Sequence, residues 1–296
     1  MLFRSEDEIY LVVKRVIDTN TVRFVERLKP IFGDWITDRN EAFFVDAGIT
    51  HEETNTATIT AASKTDPVVI TCAGGHPFAN GDYIEITDVV GMVELNDRFY
   101  KVAGVAGNNF NLQTTEGIDV DGTGYTVYVS GGTADAVTNE VTGLTHLEGE
   151  DVQAFADGGE HPDATVSGAE ISLDNFYKHI HVGLQEISEL QPMKLEAGSQ
   201  FGTSQSYVKR IVKIWVRFWK SIGARYGSRS KNMTDFEFFT GDETMGEGPD
   251  LFTGDKKDVF PGGYEESGDI VIQQVRPLPQ AITAIILRLQ TYETGE

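Results

Sequence analysis

The chain has 296 residues, 40% of them hydrophobic and 10% aromatic, enough for a buried core and, at roughly 150 residues per domain, for about two domains. Lys and Arg number 24 against 46 Asp and Glu, a formal charge of −22 that argues against a broad phosphate-gripping surface and against an anionic membrane as partner. The single cysteine, Cys72, excludes an intramolecular disulfide framework and a cysteine-rich zinc site.

The chain begins MLFRSEDEIY, charged where a signal peptide has an uninterrupted apolar stretch. No apolar run approaches the roughly 20 residues that span a bilayer. Both features predict folding in aqueous cytoplasm. Short alternating or β-branched runs then recur between Gly, Asn and Asp clusters, which predicts a mostly β protein of sandwich or barrel type. Ile9–Ile17 and Thr21–Leu28 flank Asp18-Thr19-Asn20, the pattern of a hairpin with a short polar loop. Further strands are predicted at 42–45, 56–60, 68–72, 83–87, 99–105, 110–113 and 125–129, then at 151–156, 170–173, 178–182, 269–275 and 281–291.

Residues 208–222 are ambiguous on pattern alone. Apolar residues at 208, 211, 212, 215, 218, 219 and 222 have helical spacing. Their types, β-branched or aromatic, favour a strand. Charge is also uneven. Residues 201–231 hold eight Lys or Arg and no acid, while 66–135 hold ten acids against Arg98 and Lys101, and 232–268 hold ten against Lys256 and Lys257. Such a basic strip suits salt bridges to neighbouring acidic loops or subunits, a phosphate-facing surface, or a basic amphipathic helix at a membrane. Its aromatics, Tyr207, Trp215, Phe218 and Trp219, fit core packing as well as base stacking.

No phosphate-binding loop, nucleophile elbow, zinc-protease helix or kinase signature is present. Cys72 lies in VVITCAGGH on a predicted strand and reads as a buried structural thiol, with only His76 nearby as a base. His179 and His181 in KHIHV share a face of a strand, as metal ligands would, but no third ligand stands at a useful spacing. Asp119-Val120-Asp121-Gly122-Thr123-Gly124 resembles the opening of a calcium loop, yet the twelfth position is Ser130 rather than a bidentate acid, so a turn is the better reading. No catalytic, cofactor-binding or metal-ligating residue is assigned.

Two sets of motifs carry a resemblance. HPFANGD at 76–82, GMVELNDRFYKV at 91–102 and NNFNL at 108–112 resemble the small β-barrel domain named after the first catalytic-cysteine half of ubiquitin-activating enzymes, a module also found in phage structural proteins. No adenylation domain accompanies it, so ubiquitin chemistry is not implied. Around it, FVDAGIT at 44–50, VTGLTHLEG at 141–149, HIHVGL at 179–184, YVKRIVKIWVRFWK at 207–220, LFTGDKKDVFPGG at 251–263 and GDIVIQQVRPLP at 268–279 resemble, in this order, the C-terminal part of the tail nozzle or tail tubular proteins of short-tailed bacteriophages and prophages.

The resemblance implies a sandwich- or barrel-like body, 1–65 and 136–296, interrupted by an inserted small β-barrel module at 66–135. It tips 208–222 to a long strand. It implies a virion tail protein without enzymatic activity or cofactor, made in the host bacterial cytoplasm. Such proteins form a ring, usually hexameric, with adaptor and fibre or needle proteins as neighbours. They hold packaged DNA and pass it at ejection without tight binding. An acidic lumen would let the duplex slide where a basic one would trap it. Typical relatives are longer, with propeller-like units ahead of the matched region. Ile9–Leu28 resembles the end of such a unit, so a truncated, split or shortened form is expected. Two other functions compete. One is a glycan-binding adhesin or receptor-binding module, with Phe78, Phe99, Tyr100 and Tyr125 as contact candidates, although core packing suits most of these rings better because they alternate with polar residues on strands. The other is a tail-borne polysaccharide hydrolase.

Overall fold

The computed structural model describes residues 9–28, 39–41, 43–195, 207–228, 231–238 and 250–292. Strands dominate it, as predicted. In chain order they are β1 (Ile9–Ile17), β2 (Asn20–Leu28), β3 (Asp46–Glu52), β4 (Thr56–Ala62), β5 (Val69–Cys72), β6 (Tyr83–Val90), β7 (Arg98–Ala106), β8 (Asn109–Gln113), β9 (Ser130–Thr142), β10 (Asp151–Ala156), β11 (Gly159–Thr165), β12 (Glu170–Tyr177), β13 (His179–Leu184), β14 (Ser188–Leu190), β15 (Val208–Ser221), β16 (Arg225–Ser228), β17 (Lys231–Asp235), β18 (Phe252–Val259), β19 (Val271–Gln274) and β20 (Ile282–Tyr292). No helix among the described residues is long and apolar enough to cross a membrane. Two compact units result. One is Ile49–Glu148 with Val166–Ile180, and the other is Met1–Gly48, Gly149–Thr165 and His181–Glu296.

The first unit holds a closed antiparallel barrel in the order β9-β4-β5-β8-β7-β6 and back to β9. Period-two alternation sends Ile70 and Cys72, Ile84 and Ile86, Tyr100 and Val102, and Phe110 and Leu112 inward, where all are buried. Strand β9 is the seam. Its Asp135 pairs with Thr56 on one edge and with Glu85 on the other. Its inward residues are small, Ala134 and Ala136, which lets the large side chains opposite fill the interior. Gly132 on the same strand has φ of 104°, and a Cβ there would stand 2.6 Å from Val89 Cγ2. Only glycine suits both conditions. The far end of β9 leaves the barrel and pairs with β12, Thr142 opposite Glu170.

In the other unit, β1 and β2 form the hairpin the sequence predicts. Asp18 and Thr19 both have positive φ, 42° and 65°, as a two-residue turn matched to strand twist requires. Arg15 holds the hairpin by reaching Glu26 at 2.7 Å and Asp46 at 3.0 Å. A second sheet runs β11-β10-β13-β3. Two more, β14-β19-β16-β17 and β18-β15-β20, enclose one core containing Ile214, Val216, Phe218, Tyr226, Phe236 and Ile272, the arrangement of a sandwich. The Tyr226 ring is fully buried, and its hydroxyl donates to the Val259 carbonyl at 3.1 Å.

The ambiguous segment is strand, not helix, over Val208–Ser221. Register shifts between Ile211 and Lys213 and between Phe218 and Ser221 interrupt the alternation. Buried positions therefore run 209, 211, 214, 216, 218 and 221, and the helical spacing arises because the half-buried Val208, Val212, Trp215 and Trp219 are apolar as well. Two predicted strands are corrected. The one at 42–45 begins instead at Asp46, residue 42 itself lying outside the described residues. The one at 125–129 is an irregular strap. Glu94 there accepts hydrogen bonds from the Thr126 amide and hydroxyl, both at 2.8 Å, and Tyr128 donates to the Ile59 and Gly131 carbonyls. The true strand starts at Ser130.

Candidate functional site

The barrel interior is the first place to seek a site, and it is packed with apolar side chains. Burial pushes the Cys72 thiol up to about 11. It likewise pushes the Tyr100 hydroxyl up to about 12. His76 does not activate the thiol. It stacks on Phe78 at 5.6 Å and meets the edge of Phe110 at 4.9 Å, and both its ring nitrogens lack a hydrogen-bond partner. Cys72 is thus a small core residue. The raised value favours the neutral thiol in the folded state. Its contribution to stability is complete below the ordinary thiol pKa and is lost as pH rises through about 11. At pH 8, native protein should react with a thiol reagent about 100-fold more slowly than denatured protein, about two pH units of lost thiolate. Equal rates would place the thiol at the surface.

The histidine pair does not form a ligand set. His181 is buried, its Nε2 lies 2.8 Å from the Asn40 carbonyl, and Phe43 packs against its ring edge-on. A nitrogen that donates to a carbonyl carries its proton and offers no lone pair to a metal. Among the described residues no group of three or more His, Cys, Asp or Glu could hold a metal ion. The 119–124 segment is a turn. Asp121 Oδ1 accepts from the Thr123 amide at 2.9 Å and its hydroxyl at 2.6 Å, which holds the carboxyl below the usual range, and Asp119 accepts from Gln113 at 2.8 Å. Of the four aromatics proposed as glycan contacts, Phe78 and Tyr100 are core residues with 4% exposure each, which removes them as contacts. Tyr125 packs against the same core, and the Phe99 ring lies 5.3 Å from that of Phe176.

The basic strip does not act as one surface, because β15 sends its cations to both sides. Lys209 is buried, its backbone bonded in both directions to Glu265. Arg210 lies over the Tyr264 ring at 5.9 Å. Arg225, on β16, stands opposite Asp235. Arg229 lies outside the described residues. Lys213, Trp215 and Arg217 share the outward side of β15. Across the register Lys213 meets Val259 and Arg288, Trp215 meets Lys257 and Ile286, and Arg217 meets Asp255 and Ala284. Lys257 Nζ lies 5.5 Å from the Trp215 ring centre, and Arg217 grips Asp255 with bonds of 2.7 and 3.0 Å. The outcome is a sheet face that presents Trp215, Val259 and Ile286 among four cations and one acid. Sequence reasoning found Trp215 but missed Val259, Lys257, Ile286 and Arg288. The signal was alternation along 253–259, where every second residue points outward.

Residues 65–138 match the family model described as the ubiquitin-activating enzyme E1 FCCH domain. The match covers the barrel strands from β5 to most of β9. No curated protein matches the chain.

Proposed function

We propose that this chain is a structural subunit of the DNA-ejection conduit of a short phage tail, assembling into a ring and making or breaking no covalent bond. The observation that supports this reading is how the motif residues are used. Gly48 of FVDAGIT and Gly183 of HIHVGL meet backbone to backbone. A Cβ on Gly183 would stand 2.8 Å from Gly48 Cα. Leu144 and Leu147 of GLTHLEG are fully buried, and Phe260 of FPGG lies in the sandwich core. Motifs far apart in sequence are committed to packing, as a building block requires.

In this reading the sandwich and the barrel both belong to the ring subunit, and adaptor and fibre or needle proteins abut the ring in the virion. Acidic loops face the passage, so phosphate is repelled and the duplex slides. Light scattering and negative-stain imaging of the purified full chain test the proposal. A closed ring with a central opening, six subunits in the resemblance, is the expected outcome. A stable monomer at every concentration tried overturns it.

A further inference from the structure

The outward face of the sheet β18-β15-β20 is anomalous for a chain of charge −22. Lys213, Lys257, Arg217 and Arg288 lie there with Asp255 as the one acid in the paired rows. Apolar side chains lie among them. Val259, 61% exposed, stands in the Lys213 row, and Ile286, 45% exposed, stands directly opposite Trp215. A surface made only to hold phosphate needs cations and polar donors, not exposed aliphatic side chains beside a tryptophan. Trp and Arg with aliphatic neighbours is the composition of a protein–protein contact.

The same chain carries the complementary surface. The connection from β8 to β9 presents Ile118, 66% exposed, between the exposed acids Glu116 and Asp119, with Asp121 beyond. The loop is held in shape by its own hydrogen bonds. The Thr114 amide donates to the Ile118 carbonyl at 2.7 Å and the Gly117 amide to the Thr114 carbonyl at 2.8 Å. Thr114, the backbone and Thr115 all bond the Glu116 carboxylate, which lowers its pKa and keeps it ionised. An ordered acidic tip with one projecting aliphatic side chain matches a basic face that carries Trp215, Val259 and Ile286 in both charge and chemistry.

We infer that the face around Trp215 docks the acidic barrel tip, 116–121, of a second copy of this chain. The contact joins two different surfaces, so each copy offers a face and a tip, and repetition gives a ring when the rotation closes and a filament when it does not. The inference deepens the conduit reading and rests on its self-association.

Charge reversal tests it in the full chain. One variant carries Lys213→Glu and Lys257→Glu, the other Glu116→Lys and Asp119→Lys. All four positions lie on the outward face or the exposed loop, and a thermal melt checks folding. Each variant alone places like charge against like charge. Its dissociation constant, read by light scattering or sedimentation, should rise about 30-fold. Mixed one to one, the acidic face of the first meets the basic tip of the second, and the basic face of the second meets the acidic tip of the first. Assembly should return in the mixture. A wild-type chain that assembles while both variants assemble equally well overturns this contact and leaves the ring reading standing. A monomeric wild-type chain overturns both. If the face variant instead loses binding to a short DNA duplex while its assembly is unchanged, the occupant is nucleic acid and the inference fails.

Discussion

Gly183→Ala should destabilise the second compact unit by about 3 kcal/mol, the upper part of the usual range for overpacking. The added methyl would lie 2.6 Å from the Asp46 carbonyl oxygen, 2.8 Å from Gly48 Cα and 2.9 Å from Val45 Cβ. All three atoms belong to backbone or to a side-chain root. None is the far end of a flexible chain that swings aside, so β3 and β13 must part. Denaturant unfolding reads the loss, and hydrogen exchange should report it first in β13. Gly149→Ala is the comparison. Nothing lies within 4 Å of its added methyl, so its cost comes from its φ of 81° alone. An unchanged unfolding midpoint for Gly183→Ala would mean the two glycines are not pressed together.

Phe110→Ala should cost about 4 kcal/mol, from lost burial and from the cavity left in the barrel. Phe110 is fully buried, with the ring of Phe78 at 5.7 Å and that of His76 at 4.9 Å. The barrel transition should fall by about 15 °C. Phe99→Ala on the outward side of β7 should cost about 1 kcal/mol, since that ring is only half-buried beside Phe176. Equal effects from the two would mean that the alternation along β7 and β8 does not set which side is the core.

Most barrel strands were legible in the sequence because each obeys a period of two and ends in a turn residue. Ile84 and Ile86 before Asp88, or Phe110 and Leu112 after Gly107-Asn108, need no tertiary knowledge to be read. Strand β9 was not legible. SGGTADAVTNEVT has small or polar residues where a strand usually shows bulk, since the seam must leave room for Ile59 and Val89 on the two strands that flank it. Tyr125–Val129 looked like the missing strand because its rings and valines alternate, but tertiary bonds to Glu94 and Ile59 draw it into a strap. The face around Trp215 was half legible for another reason. One of its rows comes from β15, and the other two come from chain more than 30 residues downstream, brought alongside only by pairing. The buried role of Tyr100 was legible in the alternation along β7, whereas that of Phe78, which lies outside any strand, comes from tertiary packing against Phe110.

Because β9 supplies both edges that close the barrel, order of synthesis matters. Thr56 on β4 waits for Asp135, and Ile84 on β6 waits for Ala136. A chain emerging from the ribosome can form the local hairpin of β7 and β8 at once, yet β4 and β6 stay without that neighbour until β9 has left the exit tunnel. During that interval the nascent barrel is an open sheet with two raw edges, the condition in which strands of different chains pair with one another. Neighbouring ribosomes on one message would hold several such sheets close together. The seam strand therefore makes the barrel sensitive to how fast translation carries β9 into solution.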